Sequence, residues 1–190
     1  MSRSTASSSA VCLRPRSRPL LRLEGITASA AHRAGSLREL LAPFGTATLI
    51  EDAASSALWA TIRDVLPFAA GSALGAWPVW RIVCPPASGA ALGTQLARET
   101  GGDVIYDWGG GLIWAALPPK GDAHEPAVRQ RANAVGGHAT LIRAAEDVRL
   151  GVDVFHPQAS GIAALSERVR ASFDPKAIFN RGRLRRGAAA

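Results

Sequence analysis

The stretch Val104–Leu117, VIYDWGGGLIWAAL, limits the architecture more than any other part of the chain. Two runs of β-branched, aromatic and aliphatic residues flank Gly109-Gly110-Gly111. Such runs form strands, and a short glycine connection supplies the backbone freedom that a tight reversal needs. The expectation is a β-hairpin, and with it antiparallel pairing. These glycines do not read as a phosphate loop: G-x-x-x-x-G-K-[ST] is missing, and a strand rather than a helix follows them. No G-x-G-x-x-G occurs, so the chain shows no dinucleotide cradle of its own.

The remaining elements arrange themselves around that hairpin. RPLLRLE (18–24) reads as a strand ending at Gly25, and residues 26–42 as a helix carrying Ile26, Ala30, Leu37, Leu40 and Leu41. Residues 46–50 form a β-branched strand. Asp52 is placed to cap a helix with Leu58, Ile62 and Val65 on one face. A loop over 66–76 leads to a strand over 77–84, stopped by Pro85-Pro86. Ser88 is placed to cap a helix that ends near Thr100, before Gly101-Gly102. After the hairpin come a short helix over 126–134, the strand HATLIRA, and an amphipathic helix over 158–172 with Ile162, Leu165, Val169 and Phe173 at helical spacing. The order implies an α+β fold: an antiparallel, ferredoxin-like (split β-α-β) sheet covered by helices.

Charge argues against a nucleic-acid module. The net charge is +7, but residues 1–22 and 176–190 together carry +10, which leaves −3 for residues 23–175. A nucleic-acid domain carries its basic face on the folded part. Arginine outnumbers lysine 20 to 2, so codon bias explains part of the excess. The hydrophobic fraction is 47%, with no uninterrupted apolar stretch of membrane-spanning length, so we expect a soluble chain. Cys12 and Cys84 cannot make a disulfide framework or a zinc spacing, which suits a reducing cytoplasm. Residues 1–19, rich in Ser and Arg and free of acids, are expected to be disordered, and read as a mis-assigned or truncated start rather than a targeting peptide.

Few side chains offer chemistry. The four histidines form no H-x-x-x-H or H-E-x-x-H pair, which gives no support for a metal site. There is no G-x-S-x-G elbow. His138 opens a strand after a glycine pair and His156 precedes a proline; a histidine at a loop end can carry protons, although for His138 a packed or surface role is the more ordinary one. Arg81 lies mid-strand between Trp80 and Ile82. A charge there either faces solvent or is held by a partner, such as a carboxylate. Trp77, Trp80, Tyr106, Trp108 and Trp114 fall on strand-like segments and read as core, except that Trp77 and Trp80 must face opposite sides of a regular strand.

The end of the chain resembles a known family. SFDPKAIFNRGRL (172–184) is similar to the F-D-P-x-x-I-F/L-N-P-G-R ending of FAD-linked oxidases. Together with WRIVCPP, YDWGGGLIWAAL and GGHATLIRA, it resembles the C-terminal half of the FAD-binding E subunits of glycolate oxidases over residues 20–184. LRLEG, AHR and ALWATIRDV fit the middle of those subunits. The resemblance implies a flavin-linked oxidoreductase subunit acting on a small 2-hydroxy acid, glycolate to glyoxylate, beside a flavin subunit and an iron–sulfur subunit. In such proteins the flavin accepts a hydride from the α-carbon while a base takes the hydroxyl proton and a cation holds the carboxylate. Arg81, Arg143 or Arg183 is the candidate cation. Asn180, Gly182 and Arg183 are the implied contacts to FAD or its domain, or else a structural clasp. Arg181 stands where the family has Pro.

The resemblance further implies a truncated chain without the N-terminal FAD-binding domain. Its expected parts are a tail over 1–19, the cap (substrate-side) domain over 20–172, a loop over 173–184 that packs on a flavin domain, and a tail over 185–190. Such a chain is expected to be inactive alone, to bind FAD weakly, and to be cytoplasmic or peripheral at the inner membrane through its complex. The alternative is a non-catalytic scaffold that pairs with a separate flavin subunit.

Overall fold

Alternation of apolar and polar residues sets the strands, and glycines and prolines end them. The structure, a computed structural model, describes residues 7–12 as backbone and residues 19–179 in full. These divide at Leu66/Pro67 into two compact units, where the sequence suggests one domain over 20–172.

In the first unit, β1 (Ser7–Cys12) lies between β2 (Leu20–Gly25) and β3 (Thr48–Ile50), antiparallel to both. Part of the tail expected to be disordered is therefore a strand. It pairs along its whole length with β2 and over Ala10–Cys12 also with β3, which local composition does not reveal. The rest of that tail lies outside the described residues. Helices α1 (Thr27–Leu41) and α2 (Asp52–Arg63) complete the unit, with Ala30, Ala34 and Ser55 buried. Asp52 does not cap α2. It is the first helical residue, with φ +47°, and no side chain caps that end. Gly35 lies mid-helix in α1 with nothing within 4 Å of where a Cβ would stand. Gly35→Ala should therefore stabilise this unit by about 0.5–1 kcal/mol, read as a higher urea midpoint.

The second unit carries the expected hairpin. β4 (Val79–Val83), α3 (Pro86–Thr100), β5 (Asp103–Asp107), β6 (Leu112–Ala116), α4 (Glu125–Ala134) and β7 (His138–Arg143) follow in β-α-β-β-α-β order. The strands pair antiparallel in the order β5-β6-β4-β7, so the chain is an α+β protein. α3 starts two residues before Ser88. Pro86 sits at its first turn, where its missing N–H costs nothing, and Ser88 is internal and uncapping. The helix ends at Gly101, φ +72°, whose N–H donates to Ala97 O. Gly89 and Gly93 make its inner face flat. A Cβ on Gly89 would stand 1.8 Å from Gly110 O, and one on Gly93 would stand 2.5 Å from the Tyr106 hydroxyl.

One face of this sheet is the core. Trp80, Ile82, Ile113, Ala115, Ala139 and Leu141 meet Leu92 and Leu96 of α3 and Val128 and Ala132 of α4. The Trp80 indole N–H donates to Ala123 O at 2.8 Å. Two helices follow β7: the short α5 (Glu146–Gly151), which the sequence does not announce, and the longer α6 (Ser160–Phe173). α6 has the expected stripe but does not bury it: Ile162, Leu165, Val169 and Phe173 are each at least half exposed. Among the described residues no helix is long and apolar enough to cross a membrane.

Candidate functional site

Strand alternation that buries Trp80 and Ile82 must turn Arg81 to the other face. Register places it. Ile105 of β5, Trp114 of β6, Arg81 of β4 and Thr140 of β7 lie opposite one another in a single cross-strand row. The next row is Asp107, Leu112, Val83 and His138. Cross-strand partners share a face. This face lies away from the α3 and α4 residues of the core, and its centre is half-buried: Arg81, Val83, Trp114 and Thr140 are neither fully covered nor fully open.

Arg81 therefore stands in the middle of a mostly apolar sheet face. Among the described residues no carboxylate or carbonyl bonds its guanidinium, which lies 5.4 Å from the centroid of the Trp108 ring. That stacking uses the ring's negative face and leaves the five in-plane N–H donors directed elsewhere. Trp108 is held over Arg81 by its own turn. Its N–H donates to Asp107 Oδ1 at 2.7 Å, and it takes φ +53° ahead of Gly109 and Gly110 at +63° and +99°. A non-glycine residue at such φ costs on the order of 1–3 kcal/mol. The side chain is nonetheless 59% exposed, so core burial does not repay that strain. Trp108 thus departs from the core role that its sequence position suggests.

His138 lies on the same face, diagonal to Arg81 across the β4–β7 pair. Diagonal neighbours sit about 7–8 Å apart, within reach of one small ligand. The fold thus brings together two residues, 57 apart in sequence, that the chain alone leaves unconnected. Arg143 is elsewhere and occupied: its guanidinium donates to Trp77 O and Leu74 O at 3.1 Å and clamps the turn before β4. Asn180, Gly182 and Arg183 lie outside the described residues.

The start of the C-terminal motif is described. Asp174 is buried, and its carboxylate accepts from the N–H groups of Ile178 and Phe179, each at 3.0 Å. The Asp of the D-P pair is thus a backbone organiser that turns the chain sharply after α6. The turn leaves Phe173, Ile178 and Phe179 exposed.

Other groups are excluded by their surroundings. Burial pushes the Cys84 thiol above its ordinary pKa, which opposes a nucleophilic thiolate. The Gly109–Gly111 turn does not fit a pyrophosphate. It leads into β6, and its Gly110 carbonyl packs against α3 at Gly89. The β4-to-α3 turn passes through Pro85 and Pro86, which have no N–H to offer. Neither turn therefore offers the row of free backbone N–H groups that cradles a pyrophosphate.

One constellation carries almost no sequence signal: Arg129, Asn133 and His156. Arg129 is 7% exposed, on the inner side of α4. It bonds Glu125 Oε1 at 2.8 Å, Ala139 O at 3.2 Å and Asp153 O, and lies 5.3 Å from the centroid of the Trp80 ring. Its one legible trace is the i, i+4 pair with Glu125 between the apolar positions Val128 and Ala132.

No protein-family model, no curated protein and no solved structure matches the chain.

Proposed function

We propose that the second unit is the substrate-side domain of a flavin-linked oxidoreductase for small 2-hydroxy acids, resembling the E subunit of glycolate oxidase. On this reading the FAD is carried by another domain or subunit. The carrying observation is Arg81: a cation without an ion-pair partner among the described residues, centred on a sheet face that α3 and α4 leave free. Its fork suits a carboxylate bidentately. The Thr140 hydroxyl, directly opposite, is placed to bond the ligand's hydroxyl or carboxylate, and His138 is placed diagonally as the proton acceptor. The β-α-β-β-α-β order with strands β5-β6-β4-β7 supports a ferredoxin-like cap. The motifs from WRIVCPP to SFDPKAIF support the family reading.

Two measurements test it. The purified chain mixed with FAD should leave gel filtration colourless; co-eluting stoichiometric flavin overturns the claim that the cofactor sits elsewhere. Glycolate titrated into the chain should saturably change the tryptophan emission, because Trp108 and Trp114 adjoin Arg81. Arg81→Ala should weaken that response at least tenfold, the loss of one charge-assisted pair worth about 1.5–3 kcal/mol. Equal titrations in both proteins would remove Arg81 from the site.

The exposed stripe of α6 favours a second reading, a non-catalytic scaffold that docks on a separate flavin subunit. A chain that gives no glycolate response but co-elutes with that subunit would select it. Loss of co-elution in Leu165→Glu would locate the contact.

A further inference from the structure

We propose that His156 is a proton-released latch on the outer edge of β7: neutral, it holds residues 153–156 against that edge, and protonated, it lets them go. β7 is the last strand of its sheet, so among the described residues one side of its backbone has no strand partner. Such an edge exposes N–H and C=O groups and has to be covered. Here the covering segment is not a strand. The Leu141 N–H donates to Val154 O at 2.8 Å, as a ladder would have it. Two residues earlier the Ala139 N–H donates not to a carbonyl but to His156 Nδ1, at 3.2 Å. Between them, Arg129 donates to Ala139 O and to Asp153 O, joining the edge to the segment.

This geometry sets the state of the ring. A nitrogen that accepts a backbone N–H bears no proton, so Nε2 carries the hydrogen and donates it to Asn133 Oδ1 at 2.8 Å. A second proton at Nδ1 converts the acceptor into a donor that faces the Ala139 N–H. It also sets a new positive charge beside Arg129 Nη1, 3.5 Å away. α4 presents Arg129, Asn133 and Glu125, and Glu125 is already bound to Arg129. β7 adds the exposed His138. The segment itself presents Asp153, an acidic residue whose backbone carbonyl Arg129 holds. Burial, then the charges of Arg129 and His138, hold the His156 pKa below its ordinary value.

The sign follows. The latched form prefers the neutral ring, so the latch is fully engaged above the free-histidine pKa of about 6.5 and fails as pH falls through the lower latched value. Opening frees the outward N–H groups of Ala139 and Leu141.

Amide hydrogen exchange followed by NMR on the full chain between pH 7.5 and 5 tests this, with rates corrected for intrinsic exchange. Protection at Ala139 and Leu141 should start to fall below about pH 6.5, with a slope of up to about tenfold per pH unit, and level off below the latched pKa, the signature of one proton taken up on opening. Amides within β4 and β6 should hold their protection. His156→Gln should remove the pH dependence at the edge. A flat wild-type profile, the same slope in His156→Gln, or a parallel loss in β4 and β6 would overturn the latch. If the variant does not fold, the ring nitrogens of wild-type His156 decide: an unprotonated Nδ1 at pH 7.5 that gains its proton as Ala139 opens supports the latch, and a protonated Nδ1 at pH 7.5 sinks it.

Discussion

Trp80→Ala should destabilise the second unit by about 3–5 kcal/mol, a large part of the stability of an ordinary domain. Three losses coincide at this one fully buried side chain. The indole belongs to the same buried cluster as Ile82, Ala115, Val128 and Leu141, and its removal leaves a cavity in that cluster. The Ala123 carbonyl loses its 2.8 Å donor and stays buried. Arg129 loses the aromatic face beneath its guanidinium. Trp80→Phe separates these terms. It keeps a ring for packing and cation–π contact but removes the N–H, and should cost about 1–2 kcal/mol. Urea unfolding followed by circular dichroism measures both. Equal effects for Ala and Phe would mean that the hydrogen bond, not the packing, carries the cost.

Gly89→Ala should cost about 3 kcal/mol, near the upper end for inserting one methyl into a packed site. The clash is with backbone. A Cβ there would stand 1.8 Å from Gly110 O and 2.8 Å from Gly110 C, so no rotamer change relieves it. α3 or the hairpin turn must move. Because that turn carries Trp108, the Trp108–Arg81 stack should loosen, seen as a changed tryptophan signal in near-ultraviolet circular dichroism. A fully stable Gly89→Ala with an unchanged signal would show that α3 and the turn do not meet so closely. On the functional reading proposed above, the same variant should weaken the glycolate response without touching Arg81 itself.

The hairpin was legible because its signal is local. Two strand-forming runs and three glycines suffice, and β5 and β6 form as read. The alternation around Trp80-Arg81-Ile82 was legible for the same reason: a period of two separates the faces whatever the fold. The capping roles of Asp52 and Ser88 were misread, since helix starts depend on where the chain enters. Pro86 starts α3 two residues earlier than Ser88 would. The α6 stripe was read correctly as amphipathic, yet periodicity says only that a face is apolar, not that anything in this chain covers it. β1 was missed because its strand exists only through pairing on both sides with β2 and β3, while its Ser-rich composition reads as unstructured.

The candidate site divides the same way. Sequence alone singled out Arg81 and His138 separately, the first as a charge inside an apolar strand and the second as a histidine that opens a strand after a glycine pair. The sheet order, which sets β7 beside β4, made them neighbours, and only the fold's contacts eliminated Arg143 by giving its donors to Leu74 and Trp77. Arg129 and His156, 27 residues apart, left almost no trace in the sequence. Their roles come from a buried guanidinium and a ring nitrogen that stand in for strand partners across three segments. Composition and period thus determined the class of fold and the strand faces, because those follow from local propensity and from the cost of burying polar groups. Which polar groups meet, which are spent on backbone carbonyls and which stay free was decided by tertiary structure alone, because hydrogen bonding is a matter of ångströms between residues distant in sequence.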